Sequence, residues 1–176
     1  MFDLTQRTAL VTGATGGIGA AIARALHAQG AVVALHGRRA DALEGLAAEL
    51  GSRVHVLPAD LAADGAAEQL VKDAEAAMGG LDILVSNAGL TRDTLLMRMK
   101  DADFDQVIDV NLKAGFRLAR AAMNSESSRR ISCLCALAKF VDRRDLPVRQ
   151  VKALLDELDA GVLAEDPTLG SRASVA

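Results

Sequence analysis

A glycine-rich turn between an apolar strand and an alanine-rich helix is the feature that most constrains this chain. Residues 8–11 (Thr-Ala-Leu-Val) precede residues 12–19 (Thr-Gly-Ala-Thr-Gly-Gly-Ile-Gly), and residues 20–29 continue at helical spacing. Glycine also serves tight turns for steric reasons alone. In a strand–turn–helix unit, however, glycines let the backbone approach a pyrophosphate, towards which the first helical N–H groups point. The predicted phosphate-binding residues are Gly13, Thr15, Gly16, Gly17, Ile18 and Gly19.

Length and composition exclude several classes of protein. The 176 residues suffice for one domain, and 51% are hydrophobic, yet no run approaches the roughly eighteen apolar residues of a membrane span. A net charge of −3 gives no general attraction to nucleic acid or anionic membranes. No secretory signal is readable, and Cys133 and Cys135 are too close for an ordinary disulfide and too few for zinc. We therefore expect a cytoplasmic protein without bound metal and without a nucleic-acid or membrane partner.

The first two-thirds of the chain alternates between predicted strands and helices. The predicted strands, short and apolar, are 8–12, 31–36, 53–57 and 81–86. The predicted helices are 17–29, 40–50 and 64–78, each followed by a glycine that fits a C-terminal cap. This alternation predicts an α/β fold of the Rossmann type, a doubly wound parallel sheet with right-handed crossovers. A further helix is expected over 101–123, with Val107, Ile108, Leu112 and Leu118 facing the core.

Beyond Met123 the character of the sequence changes. Pro147 is predicted to open a helix that Gly161 closes, and residues 164–176 show no periodicity. No strand is predicted after residue 86, so the sheet is expected to be truncated after four strands, which leaves 81–86 at an edge. We predict two regions, a nucleotide-binding domain over 1–123 and a helical or irregular tail over 124–176.

Four motifs in residues 1–123 resemble those of the short-chain dehydrogenase/reductase family. Residues 12–19 look like its T-G-x-x-x-G-x-G cofactor motif. Asp60-Leu61, after the third strand, is similar to its adenine-contacting pair. Asn87-Ala88-Gly89 looks like its N-A-G motif, and Asn111 matches its helix asparagine. The resemblance implies that Asp60, Leu61, Asn87 and Gly89 contact the cofactor and that Asn111 belongs to the catalytic set.

Two of these residues have structural alternatives that the sequence leaves open. Asp60 is placed to cap the segment that opens near Asp64. Asn87 is able to bond its side-chain amide to backbone in a turn, and this role is compatible with a cofactor contact.

Within the family, residues 91–100 look most like bacterial 3-oxoacyl-acyl-carrier-protein reductases. The segment reads Thr-Arg-Asp-Thr-Leu-Leu-Met-Arg-Met-Lys. Those enzymes use NADPH to reduce a β-keto group during fatty acid elongation. The resemblance therefore implies a role in fatty acid synthesis and acyl carrier protein as a partner.

The end of the second strand bears on the choice of cofactor. An NAD site would place Asp or Glu about twenty residues past the glycines to hold the ribose hydroxyls. Here residues 36–39 read His-Gly-Arg-Arg, without an acid. The guanidinium of Arg38 suits a 2′-phosphate, whereas Arg39 is interpreted as an ordinary solvated charge. The sequence therefore predicts NADP(H).

The catalytic set that the resemblance implies is incomplete. The family uses a serine, a tyrosine, a lysine four residues after it, and the helix asparagine, with tyrosine as the proton donor. The chain contains no tyrosine, and Lys152 stands near the expected place without one. Ser132 lies too early to be assigned. With Asn111 as the remaining match, we predict that reduction is impaired.

Three functions therefore stay open at this level. The first is a 3-oxoacyl-acyl-carrier-protein reductase-like protein that retains its cofactor half. The second is a non-enzymatic NADP(H)-binding or interaction module that pairs with an intact reductase, as a homo- or hetero-oligomer through helix 101–123. The third is a truncated product without function.

Overall fold

Five short strands form one parallel sheet in the part of the chain that the structure, a computed structural model, describes, namely residues 3–125 and 132–135. The strands are β1 Thr8–Val11, β2 Val32–Gly37, β3 Val54–Pro58, β4 Ile83–Ser86 and β5 Ser132–Cys135. Their order is β3-β2-β1-β4-β5, and all neighbouring strands are parallel. From β1 the chain adds β2 and β3 on one side and then β4 and β5 on the other. The loops after β1 and β4, both at the carboxyl ends of their strands, therefore lie on either side of a crevice.

Helices connect these strands. They are α1 Gly17–Ala28, α2 Ala40–Leu50, α3 Ala66–Met78, α4 Asp101–Ile108 and α5 Ala114–Met123. A π-helical turn, Asp109–Lys113, joins α4 to α5, and a 3₁₀ turn, Leu96–Arg98, precedes α4. Gly79 ends α3 in the left-handed region at φ 80°, where its N–H donates to the Glu75 carbonyl. None of the helices in residues 3–125 has the length and apolarity needed to cross a membrane.

Two helical layers enclose the sheet. On one face α3 packs against α5, and their Leu70 and Leu118 meet Leu10, Ala34 and Leu84 of the strands. Neighbouring strand residues alternate to the opposite face, where α1 and α2 pack against each other. Every strand residue named here is fully buried, and burial on both faces explains why the strands read as continuous apolar runs.

The prediction of a doubly wound α/β fold is confirmed. The four predicted strands and the first three predicted helices are present, with ends within two residues of the expected ones. The predicted helix over 101–123 is found as α4, the π-helical turn and α5.

The prediction that the sheet stops after four strands is wrong. Residues Ser132–Cys135 form β5 and pair in parallel with Ile83–Ser86, so β4 is an inner strand rather than an edge. The segment is only four residues long and lacks β-branched residues, so its local sequence gives little strand signal. Residues 132–135 become a strand because the otherwise unpaired backbone groups of β4 offer them hydrogen bonds.

The expected core face of helix 101–123 is only partly correct. Leu118 is buried and Val107 and Ile108 are half-buried, but Leu112 is 64% exposed. Leu112 lies in the π-helical turn, whose i→i+5 bonds accommodate an extra residue and shift the helical phase. A regular 3.6-residue period therefore assigns it to the wrong face.

Several predictions concern residues outside the described part of the chain. The helix between Pro147 and Gly161, the irregular segment 164–176 and the environment of Lys152 all fall there. The division into regions 1–123 and 124–176 accordingly stays a prediction, although β5 adds one strand from the second region to the sheet of the first.

Candidate functional site

The glycine-rich loop folds tightly on itself at the carboxyl end of β1. Gly13 has φ +67°, and a Cβ there would lie 2.9 Å from the Ala88 Cα. At Gly19 a Cβ would lie 2.2 Å from the Gly13 carbonyl oxygen. Glycine is therefore required at both positions, by backbone conformation and close approach at Gly13 and by close approach at Gly19.

Open space lies over the start of α1. A Cβ at Gly17 would meet nothing within 4 Å. The first helical bond runs from the Ala20 N–H to the Gly16 carbonyl, so the N–H groups of Gly17, Ile18 and Gly19 have no acceptor within the helix. A helix start with free donors and room above it is a site for an anion such as a pyrophosphate.

Thr12 and Asn87 join the loops after β1 and β4 through buried hydrogen bonds. The Thr12 hydroxyl donates to the Val85 carbonyl at 3.0 Å and accepts from the N–H groups of Asn87 and Ala88, both at 2.9 Å. The Asn87 Nδ2 donates to the carbonyls of Thr12 at 2.9 Å and Gly13 at 3.2 Å. The structure therefore shows the backbone-bonding role of Asn87 that the sequence left open.

Sequence reasoning missed Thr12 as a residue that builds the site. It is fully buried and its hydroxyl makes the three bonds that fix the start of the Asn87 loop. The signal was present, because a hydroxyl at the end of a buried apolar strand needs hydrogen-bond partners. Its partners lie 73 to 76 residues away, however, and spacing gives no indication of them.

The end of β2 lies against the same loop. A Cβ at Gly37 would be 2.9 Å from the Thr15 side chain, and the His36 carbonyl accepts from the Ala14 N–H at 2.8 Å. Arg38 and Arg39 follow and are both exposed. Arg39 is more than a solvated charge, because its Nη2 donates to the Thr15 carbonyl at 3.3 Å.

His36 is the most perturbed titratable group of this edge. Burial lowers the pKa of its imidazole to about 4, against the opposing influence of a bond to the Ala59 carbonyl and of the Asp60 charge. The Nε2 lies 3.2 Å from the Ala59 oxygen and must carry the proton, because a carbonyl only accepts. His36 is thus neutral at pH 7.

Asp60 and Leu61 follow β3 on the far side of β2. Asp60 is exposed, and its Oδ1 accepts from the Ala62 N–H at 3.1 Å, a turn-stabilising bond that resembles the capping alternative. The Leu61 side chain is 4% exposed and belongs to the core with Leu10. A ligand at this place would therefore meet the Asp60 carboxylate and the Leu61 backbone rather than the Leu61 side chain.

Asn111 lies in the π-helical turn and is bound to the loop that follows Asn87 and Gly89. Its Nδ2 donates to the Leu90 carbonyl at 2.8 Å, and its Oδ1 accepts from the Leu90 N–H at 2.9 Å. Both polar atoms of the amide therefore bond to one residue of the loop. Asn111 thereby links the helical segment 101–123 to the loop that contacts Gly13.

The structure brings the predicted cofactor-binding residues together at the carboxyl ends of the strands, whereas Ser132 lies at the opposite, amino end of the sheet. Gly13–Gly19, Arg38, Asp60, Asn87 and Gly89 all follow carboxyl ends of neighbouring strands. Ser132 pairs with Ile83 at the start of β4, whereas Cys135 pairs with Ser86 at its end. Among the described residues no three His, Cys, Asp or Glu side chains cluster as metal ligands.

Comparison with known proteins places this arrangement in context. The sequence profile of the family described as short chain dehydrogenase matches residues 7–132. "Nodulation protein G" from Rhizobium sp. (strain N33) is 58% identical over 130 residues, which are 74% of this chain and 53% of that protein. "3-oxoacyl-[acyl-carrier-protein] reductase FabG" from Rickettsia bellii (strain RML369-C) is 43% identical over 141 residues, 80% of this chain and 57% of that protein.

One solved structure resembles this chain in both fold and sequence. The short-chain dehydrogenase/reductase (glucose/ribitol dehydrogenase) from Brucella melitensis superposes with a TM-score of 0.71 at 36% identity, covering 76% of this chain and 57% of the other. The chain spans about half the length of the curated relatives it matches, between 53% and 57% for the two named above.

Proposed function

The chain belongs to the short-chain dehydrogenase family, and from that premise we propose that it binds NADP(H) across the loops after β1, β2, β3 and β4. Members of this family bind nicotinamide cofactors. The observation that carries the proposal is the open start of α1, where a Cβ added at Gly17 would meet nothing within 4 Å and three N–H groups lack helical acceptors. The bound cofactor would supply the hydride, and the protein would hold the pyrophosphate and the adenosine.

Charge at the end of β2 supports NADP(H) over NAD(H). Residues 36–39 contain no carboxylate to accept from ribose hydroxyls. Arg39 donates to the Thr15 carbonyl of the glycine-rich loop, and the neighbouring Arg38 is exposed and follows the same strand end. A 2′-phosphate would gain charge-assisted hydrogen bonds there.

A fluorescence titration tests the cofactor proposal. The chain contains no tryptophan or tyrosine, so the emission of NADPH itself reports binding with little protein background. We expect NADPH to bind at least about tenfold more tightly than NADH, and Arg38→Ala to remove most of that preference while changing NADH little. Arg24→Ala, which removes an exposed arginine paired with Glu49, is the matched control. No response to millimolar NADPH would refute the proposal.

We further propose that the protein is related in function to 3-oxoacyl-acyl-carrier-protein reductases of fatty acid synthesis but reduces ketoacyl thioesters poorly. The support for the first half is the 43% identity to the Rickettsia bellii reductase. The support for the second is the absence of tyrosine from the 176 residues, because loss of a general acid typically costs about 10²- to 10⁴-fold in rate. Acyl carrier protein is the partner that this relationship implies.

Steady-state assays separate the two halves of that proposal. We expect NADPH to bind while its consumption with a β-ketoacyl thioester stays near the rate without protein. An intact reductase assayed in parallel shows that the substrate is competent. Steady turnover by this chain alone would contradict the proposed impairment and leave the cofactor proposal standing.

A second candidate function is an interaction module that pairs through helical segment 101–123. Phe104, Leu112, Phe116 and Met123 are each more than half exposed on this segment. The segment carries its acids at 101, 103, 105 and 109 and its bases at 113, 117 and 120. Antiparallel pairing with a like segment would place the acidic half of one beside the basic half of the other, which favours a homo-oligomer or an intact relative as partner.

Mass in solution tests the pairing. We expect light scattering to give a mass of at least a dimer for the wild type, or for its mixture with an intact relative. Phe116→Glu should shift the population to the monomer, because a carboxylate replaces an apolar contact. Leu96→Glu, an exposed leucine outside the segment, is the control. A monomer under all conditions would exclude this function.

A further inference from the structure

His36 is bonded to two of the loops that border the proposed cofactor site. Its carbonyl accepts from the Ala14 N–H of the glycine-rich loop at 2.8 Å, and its Nε2–H donates to the Ala59 carbonyl at 3.2 Å. Ala59 directly precedes Asp60, and its own N–H continues the ladder to the Gly37 carbonyl at 3.2 Å. The imidazole therefore fixes the point where the chain leaves β3 and enters the turn with Asp60.

Histidine is a costly residue for this position. The side chain is 2% exposed, and its strand neighbours Ala34 and Leu35 are fully buried. The Nδ1 atom has no hydrogen-bond partner among the described residues, although it is buried. A buried acceptor without a partner destabilises the folded state, and an aliphatic side chain would avoid that penalty. The bond to Ala59 is the contribution that an aliphatic residue would not reproduce.

We propose that His36 is a positioning residue of the cofactor site, which holds the Asp60 turn at a fixed distance from the glycine-rich loop. The inference rests on the proposed function and deepens it, because it concerns the adenosine side of the same site. Burial keeps the imidazole neutral at pH 7, so it acts as a hydrogen-bond donor of fixed tautomer rather than as a charge. Its effect on the cofactor passes through Asp60 and the Leu61 backbone.

Three variants test this role against a merely structural one. His36→Leu removes the donor and the orphan acceptor, whereas His36→Gln keeps an amide N–H near the position of Nε2. Val33→Ala, at a fully buried position on the same strand, is the control for general destabilisation. The measurements are the affinities for NADPH and for 2′,5′-ADP, the thermal midpoint, and hydrogen exchange of residues 57–63 without cofactor.

We expect His36→Leu to weaken both ligands by about tenfold while its thermal midpoint stays equal or rises. His36→Gln should bind within about threefold of wild type, and Val33→Ala should lose thermal stability without losing affinity. Exchange in 57–63 should accelerate in the leucine variant only. Unchanged affinity and exchange in His36→Leu would overturn the inference, as would a loss that Val33→Ala matches.

These outcomes are distinguishable from failure of the proposed function. If the wild type binds neither NADPH nor 2′,5′-ADP, the cofactor proposal fails. The exchange measurement still decides the inference, because it uses cofactor-free protein: accelerated exchange in His36→Leu alone supports the positioning of the turn, and unchanged exchange refutes it.

Discussion

The loops at the carboxyl edge of the sheet and the outer face of segment 101–123 differ in how completely their side chains are satisfied. At the edge, Thr12 and Asn87 are buried and bonded to backbone across the gap between β1 and β4. On the helical segment, Leu112 and Phe116 are each 64% exposed. We call the first the closed region, because its buried polar side chains are bonded within the chain. We call the second the open face, because it leaves apolar surface that a partner would cover.

The difference predicts opposite responses to substitution. Where the loops after β1 and β4 meet, an added atom would collide with a neighbour, and removing a hydrogen-bonding atom would leave its buried partner unpaired, because close packing leaves no room to adjust. On the open face a change alters surface and association but hardly the folded chain. Asn111 connects the two regions through its paired bonds to Leu90, so the π-helical turn is one direct link between them.

The largest effect is expected for Gly19→Ala. A Cβ there would stand 2.2 Å from the Gly13 carbonyl oxygen and 2.6 Å from the Asn87 Nδ2. We expect the free energy of unfolding to fall by more than about 3 kcal/mol, with loss of NADPH binding. Gly45→Ala in α2, which would meet nothing within 4 Å, should instead stabilise by roughly 0.5–1 kcal/mol. Urea titrations of both variants check this, and equal stabilities would contradict it.

Acid should destabilise the closed region next most strongly. The pKa of His36 is about 4 in the folded chain against 6.5 in its ordinary state, so between these values the unfolded chain binds more protons. The free energy of unfolding therefore rises with pH across this window and stops rising above about pH 6.5, where the imidazole is neutral in both states. Going from pH 6.5 to 4 should cost on the order of 3 kcal/mol from this group.

The His36→Gln variant isolates this contribution, because glutamine does not titrate. Urea titrations at several pH values should show a shallower loss of stability for the variant between pH 6.5 and 4. Carboxylates affect both proteins alike, so the difference between the curves reports His36. Parallel curves would show that the imidazole is not protected from protons in the folded chain.

Removing the Thr12 hydroxyl is expected to have a smaller but still large effect. Thr12→Val keeps the shape of the side chain but deprives the N–H groups of Asn87 and Ala88 of their acceptor. We expect a loss of about 2–3 kcal/mol in the free energy of unfolding. Thr12→Ser keeps the hydroxyl and should cost less than about 1.5 kcal/mol. Denaturant midpoints compare the two, and equal losses would show that the hydroxyl is not what stabilises the loop.

The sequence predicted local elements well and long-range bonds poorly. The turn at Gly13–Gly19 and the first four strands follow from patterns within about ten residues, because apolar runs and glycines act locally. The bonds of Thr12 to Asn87 and of His36 to Ala59 join residues far apart, and no periodicity encodes them. β5 was missed for the same reason, since its strand character depends on β4.

The error at Leu112 gives the sharpest and smallest prediction. Leu112 and Leu118 lie on one helical segment, six residues apart, yet the first is 64% exposed and the second fully buried. Leu112→Ala should therefore change the unfolding free energy of the monomer by less than about 0.5 kcal/mol, and Leu118→Ala should lower it by about 2–5 kcal/mol. Urea titrations at low protein concentration, where association is absent, measure both. A large loss of unfolding free energy in Leu112→Ala at low protein concentration would mean that this side chain packs within the chain. Leu112 would then not belong to the exposed apolar surface of the open face.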